Sequence, residues 1–144
     1  MLALELSNEM VKAFMGRLLR EDIFDIFDAR SVDIVTNVRI GIDTGCEEGF
    51  MPWELLRPLV YTIVKESVKP KNVKIVFSYN SKVLANIHAN AAALFLNLTY
   101  ENDNVTFTTA TAQREFAMDK SLDDAWDGWV LGFFKEKGLV VAEL

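Results

Sequence analysis

A chain of 144 residues with 51% hydrophobic and 11% aromatic side chains has ample material for a packed core. Its length fits one domain spanning residues 1–144, burying roughly 68–70% of what the unfolded chain exposes. A net charge of −6, with no dense Lys/Arg cluster, argues against general nucleic-acid binding, which needs a basic surface to neutralise phosphates. The single cysteine, Cys46, excludes an internal disulfide and suits a reducing compartment. The start of the chain lacks a positive leader, and no run reaches about 18 apolar residues, so a cytoplasmic location without membrane contact is expected.

Leu2, Leu4 and Leu6 alternate as a short half-buried strand. Ser7 or Asn8 then offers a cap to a helix ending near Arg20, with Val11, Phe14, Met15, Leu18 and Leu19 on its inner stripe. The segment Asp22 to Asp28 sets Ile23, Phe24, Ile26 and Phe27 between acids and is expected as a second short helical turn, with Asp22, Asp25 and Asp28 as a wet side. From Ser31 to Asp43 the period becomes two, with Val32, Ile34, Val38, Ile40 and Ile42 on one face and Asp33, Asn37, Arg39 and Asp43 on the other. This predicts one long strand with a wet side, followed by an exposed loop from Thr44 to Gly49.

Pro52 suits a first helical position, whereas Pro58 would kink the same helix or mark a start near Arg57. Leu55, Leu56, Leu59, Val60, Ile63 and Val64 form the expected buried stripe, and Lys65, Lys69 and Lys71 a positive helix end. Val73 to Tyr79 is apolar at both parities, as a central strand covered on both sides would be. Asn80 or Ser81 is expected to cap a helix to about Ala92, with Val83, Leu84, Ile87 and Ala91 inward.

The clearest signature is the stretch Leu94 to Phe116, where alternation breaks at Glu101-Asn102-Asp103-Asn104 and then resumes, as in a β-hairpin. A two-residue loop at Asn102-Asp103 pairs Tyr100 with Val105, Leu98 with Phe107 and Leu96 with Thr109, which keeps the apolar groups on one face. A loop at Asp103-Asn104 conserves the same parity. Ser121 opens a last helix with an acidic first turn and Trp126, Trp129, Val130, Phe133 and Phe134 at helical spacing; Lys135, Lys137 and Gly138 close it. The tail from Leu139 to Ala142 suits an edge strand or a contact with another copy.

These stretches carry a resemblance. The opening Leu2 to Leu6 with its Phe14-Met15 helix, the Phe24 to Ala29 segment, the Met51 to Lys65 helix, the Leu94 to Tyr100 strand and the run Met118 to Asp127 follow one another in an order that resembles a bacterial family known only as a domain of unknown function. Its members often carry glycine in the hairpin turn, where this chain has Asp103-Asn104. The resemblance implies a bacterial, cytoplasmic protein with no assigned activity, cofactor or active site.

Chemistry-bearing residues are few. His88 is the only histidine, so a multi-histidine metal site within the chain is excluded, and a Cys46–His88 pair is the sharpest nucleophilic option. Glu47 and Glu48 beside Cys46 disfavour the thiolate that such chemistry needs. Asp43, Glu47 and Glu48 lack the spacing of a calcium loop. No phosphate-binding glycine loop, nucleophile elbow or zinc-spaced cysteine set is present, so neither catalytic residues nor a cofactor or metal are assigned. Trp126 and Trp129, with Trp53, are candidates to line a cleft or partner surface, although core packing is the simpler reading. Arg39 on the wet strand face and His88 complete the binding candidates; Arg57 ahead of Pro58 is the other arginine to inspect for anion binding, although a surface charge is the simpler reading of both arginines.

The expectation is therefore an α+β fold: about five strands in a mainly antiparallel sheet, with a mixed sheet as the alternative, a C-terminal hairpin, and helices covering one face. The expected function is a non-enzymatic protein-binding or adaptor module, with a protein or a second copy of the chain as partner. The alternative is a small-ligand enzyme or sensor using a cleft near the Gly41–Gly49 loop, with His88, Cys46 and Asp43 as its chemical groups.

Overall fold

The computed structural model describes residues 1–44, 49–66 and 69–144, and among them the fold is α+β. In chain order the elements are β1 (Ala3–Leu6), α1 (Val11–Arg20), β2 (Asp28–Val35), β3 (Arg39–Asp43), β4 (Met51–Pro52), α2 (Trp53–Glu66), β5 (Asn72–Ser78), β6 (Ala91–Glu101), β7 (Asn104–Gln113), α3 (Ser121–Glu136) and β8 (Val141–Glu143). The eight strands form one open sheet in the order β3-β2-β5-β6-β7-β1-β8, with β4 alongside β2. Every ladder is antiparallel, so the mixed alternative falls and the strand count exceeds the expected five.

Alternation explains the layering. One register row crosses the sheet as Ile42, Val32, Ile75, Leu98, Phe107 and Leu4, and its inner members are buried. The helices cover this face. Phe14 of α1 and Phe134 of α3 pack on Phe107 at 5.7 and 4.6 Å between ring centroids, and Trp53 of α2 packs on Phe77 at 5.2 Å. The next row, Gly41, Asp33, Lys74, Thr99, Thr106 and Glu5, is polar, and none of the three helices lies on it. An antiparallel sheet tolerates such a wet face because no crossover helix has to cover it.

The hairpin has the register derived from sequence: Tyr100 opposite Val105, Leu98 opposite Phe107 and Leu96 opposite Thr109. Its loop is Asn102-Asp103, with φ of 52° and 61°. Both values are positive, as the I′ turn that matches strand twist requires, and Asn and Asp tolerate that region better than other side chains.

Several expectations are corrected. The long strand Ser31 to Asp43 is two strands, β2 and β3, folded at Thr36 to Val38, where the Thr36 N–H donates to the Val38 carbonyl at 2.9 Å. Ile34 then faces Ile40 and Val32 faces Ile42. A three-residue turn thus preserves the parity of an unbroken strand, while Val38 ends in the turn, 62% exposed. The helix expected from Ser81 to Ala92 is only a 3₁₀ turn at Leu84–Asn86. Side chains there serve the backbone locally: Asn80 Oδ1 accepts from the Lys82 N–H and His88 Nδ1 from the Asn90 N–H, which competes with helix formation. From Ala91 the β6–β7 ladder takes the chain.

In α2 the inner side is Trp53, Leu56 and Val60, whereas Leu55 and Leu59 are exposed, and Pro58 lies inside the helix. β5 is central but alternates, with Val73, Ile75 and Phe77 buried and Lys74 exposed. The segment Asp22 to Phe27 is a pair of hydrogen-bonded turns that bury Ile23, Phe24 and Phe27 but leave Ile26 exposed. Asp25, expected on a wet side, makes a bidentate pair with Arg57 at 2.8 and 2.9 Å. Arg57, expected as a surface charge, is thereby largely enclosed, its side chain 18% exposed. The start of α3 is capped by Asp119, whose Oδ1 accepts from both the N–H and the hydroxyl of Ser121. The tail forms β8 on the outer edge of β1.

Candidate functional site

A groove of about 670 Å³ opens where α1 and α2 run side by side over the sheet, lined by residues of both helices. It falls within the range typical of small-molecule sites, about 300–1,000 Å³. Helical spacing builds its walls. Val11, Met15 and Leu19 come from one stripe of α1, and Tyr61 and Val64 from α2; Val73 and Tyr100 form the sheet end of the floor.

The rim is basic. Lys12, Gly16 and Arg20 follow at four-residue intervals on α1, and Arg20 folds back so that its Nε donates to the Gly16 carbonyl at 3.4 Å. A Cβ at Gly16 would stand 2.7 Å from the Arg20 guanidinium, so the glycine is what lets that charge lie across the helix. On α2, the Lys65 Nζ lies 5.9 Å from the centre of the Tyr61 ring, a cation–π contact. Lys69 completes the set. Four basic side chains face one carboxylate, Asp103.

That carboxylate is already engaged, by Lys69 Nζ at 2.7 Å and the Tyr100 hydroxyl at 2.9 Å. The Lys69 bond, then that of Tyr100, hold the Asp103 carboxyl below the usual carboxylate range. The same bond raises Lys69, and burial followed by the Asp103 bond raises Tyr100. Around neutral pH the rim therefore carries an excess of positive charge over an apolar floor, in a chain of net charge −6. The shifted acidities belong to the Lys69–Asp103–Tyr100 network itself; basic groups converging over an apolar floor are what suit the groove to a ligand.

The residues singled out from sequence lie elsewhere. Trp126 is fully buried and its indole N–H donates to the Phe95 carbonyl at 2.9 Å. Trp129 stacks on it at 5.2 Å and 11° and is half-buried, lining a smaller hollow with Ile23, Ile26 and Phe133. Trp53 is in the core. Arg39 stands exposed on β3 with Asp33 at 3.7 Å. Cys46, Glu47 and Glu48 lie outside the described residues. Asp43 and His88 are not brought together: β2 and β5 stand between β3 and β6, the strand that follows His88, a separation of about 14 Å at the usual strand spacing.

His88 does meet a hydroxyl that its sequence neighbourhood did not suggest. Its Nε2 lies 2.9 Å from Ser121 Oγ, which lies 2.6 Å from Asp119 Oδ1. The directions exclude a nucleophilic triad. The Asn90 N–H donates to His88 Nδ1, so the proton sits on Nε2 and is donated to the serine, while the serine proton goes to Asp119. A nucleophilic serine needs the opposite, its own proton accepted by the imidazole. The chain acts as a cap, and the Ser121 hydroxyl and N–H, with a smaller contribution from His88, hold the Asp119 carboxyl below its ordinary range. Among the described residues, no three His, Cys, Asp or Glu side chains group at metal-binding spacing, and no helix is long and apolar enough to cross a membrane.

The groove was missed in sequence because Lys65 and Lys69 look like a helix end. The available signals were the four-residue intervals Lys12–Gly16–Arg20 and Tyr61–Lys65; that the two faces meet is decided by packing. Among known proteins, no curated protein and no solved structure matches the chain. A family model does match over residues 17–141, which takes in the α2 wall of the groove but only Leu19 and Arg20 of the α1 wall, and the chain belongs to that family, described as a family of unknown function (DUF5721).

Proposed function

We propose that this chain is a non-enzymatic binding module whose ligand is a small amphipathic molecule with an apolar body and an acidic group, held in the groove between α1 and α2. The observation that carries this reading is the ring of Lys12, Arg20, Lys65 and Lys69 around an apolar floor. Apolar burial contributes about 25 cal/mol per Å², and the rim selects the charge. We place the module in the reducing cytoplasm of a bacterium, on its single-cysteine composition and family resemblance. An enzyme at the Gly41–Gly49 loop is the weaker reading, since Asp43 and His88 stand apart.

Calorimetric titration with dodecanoate, dodecanol and dodecylamine tests the proposal. Saturable binding of dodecanoate is expected, at least ten-fold tighter than either uncharged or cationic analogue and weakened by salt. The pair Lys12→Glu and Lys65→Glu should weaken it at least ten-fold. Equal binding of dodecanoate and dodecanol, or no saturable binding, overturns the reading.

A protein-binding role has one observation of its own. The loop from Arg114 to Lys120 is held by reciprocal amide bonds, Asn90 to Glu115 and Gln113 to Ala117, yet Phe116 and Met118 are 87% and 88% exposed. A clamped loop displaying two large apolar side chains suits an anchor for an adaptor contact. A partner that copurifies with the chain should be lost on Phe116→Ser with Met118→Ser and kept by the groove variants; the reverse pattern assigns the contact to the groove.

A further inference from the structure

The strand β3 reads Arg39-Ile40-Gly41-Ile42-Asp43, a sequence symmetric about Gly41 in shape and opposite in charge at its two ends. It is the last strand on its side of the sheet, bonded to β2 alone among the described strands. We propose that this edge pairs antiparallel with the same edge of a second copy, about a two-fold axis through Gly41, to give an isologous dimer with a continuous sheet.

The backbone is disposed for it. The Thr36 N–H donates to Val38 on the β3 side, and the Val35 carbonyl accepts from Lys71 on the β5 side at 2.7 Å. Backbone groups alternate along an antiparallel strand, so Ile34 and Val32 bond toward β3 and use the groups of their partners Ile40 and Ile42. The N–H and C=O groups of Arg39, Gly41 and Asp43 therefore point outward. Pairing about Gly41 sets Gly41 opposite its own copy and Arg39 opposite the second Asp43, each a hydrogen-bonded pair.

The side chains agree with the backbone. Charges on an edge strand usually repel further strands; here the edge attracts only a partner whose charges run the other way, and antiparallel pairing with an identical strand supplies that. Arg39 is exposed and, among the described residues, pairs with Asp33 at 3.7 Å, a loose contact that leaves it able to bridge to the second Asp43. On the helix face, Ile40 and Ile42 are half-buried. Above them α2 packs over β2 and β4 with α1 on one flank. Helical spacing turns Leu55 and Leu59, 63% and 51% exposed, to the flank away from Tyr61 and Lys65, which face α1. A two-fold axis normal to the sheet brings the two α2 helices to the same side, so this leucine flank and the isoleucines are covered by the operation that pairs the strands. The inference is independent of the groove.

Sedimentation of the intact chain over a range of concentrations should show a monomer–dimer equilibrium. Arg39→Asp and Asp43→Arg each oppose like charges twice across the axis, and each should raise the dissociation constant at least ten-fold. Mixed one to one, the two variants should associate with each other, since each supplies the charge that the other lacks. In a Cys46→Ser background, Gly41→Cys should give a disulfide-linked dimer on mild oxidation, because paired Cα atoms about 5.5 Å apart suit the bond. Nothing lies within 4 Å of a Cβ at Gly41, so the fold accepts the change. A monomer at every concentration, a dimer indifferent to both charge reversals, or a mixture that behaves as the sum of its parts overturns the proposal.

Discussion

Asp103 holds two roles at once. Its backbone, at φ 61°, completes the hairpin turn, and its carboxylate ties the turn to Lys69 and Tyr100. Because its folded acidity lies below the unfolded value of about 4, the linked stability is present above that pH and is lost as pH falls through the folded value. Lys69 and Tyr100 shift upward; their contribution is present below about pH 10 and is lost as pH rises through their folded values. Urea denaturation at pH 6 and pH 2.5 should show a smaller acid loss for Asp103→Asn than for the parent chain. Equal losses would mean that the carboxylate is not linked to folding. The sequence marks Asn102-Asp103 as a turn through residue type and flanking alternation, but Lys69 lies 34 residues away from its acceptor, beyond any local pattern.

Helix α3 shows how one substitution changes sign along an element. Gly138 follows it at φ 72°, with its N–H donating to Lys135 and that of Leu139 to Phe134, a left-handed stop for the helix. Gly138→Ala should cost about 1–2 kcal/mol through backbone strain alone, since no atom lies within 4 Å of the added Cβ. Gly128 sits in the exposed helix interior with the same open space, so Gly128→Ala should instead stabilise by about 0.8–1 kcal/mol. Thermal unfolding of both variants measures the contrast, and a shared sign would refute it. This helix was legible because its apolar spacing runs from Leu122 to Phe134 and its stop signals are strong. The segment Ser81 to Ala92 has similar apolar spacing, yet Asn80 and His88 bond the local backbone and β7 draws Ala91 into a strand.

At the scale of the molecule, the Asp25–Arg57 pair is the best enclosed ion pair among the described residues, with side chains 15% and 18% exposed. It fixes α2 to the turn that carries Phe24 and Phe27 into the aromatic core. A double-mutant cycle of Asp25→Ala and Arg57→Ala should return a coupling of about 1–3 kcal/mol, as charged hydrogen bonds do; a coupling near zero would make the pair incidental. The amino-acid sequence by itself determined the α+β class, the hairpin register and the helices α1 and α3, because alternation, turn residues and helical spacing act within a dozen residues. Only the tertiary structure decided that Ser31 to Asp43 is two strands, that Asp25 meets Arg57, and that Lys12, Arg20, Lys65 and Lys69 surround one groove. Parity survives a short turn, so periodicity cannot count strands. A charge acquires its partner only when segments remote in the chain are packed side by side.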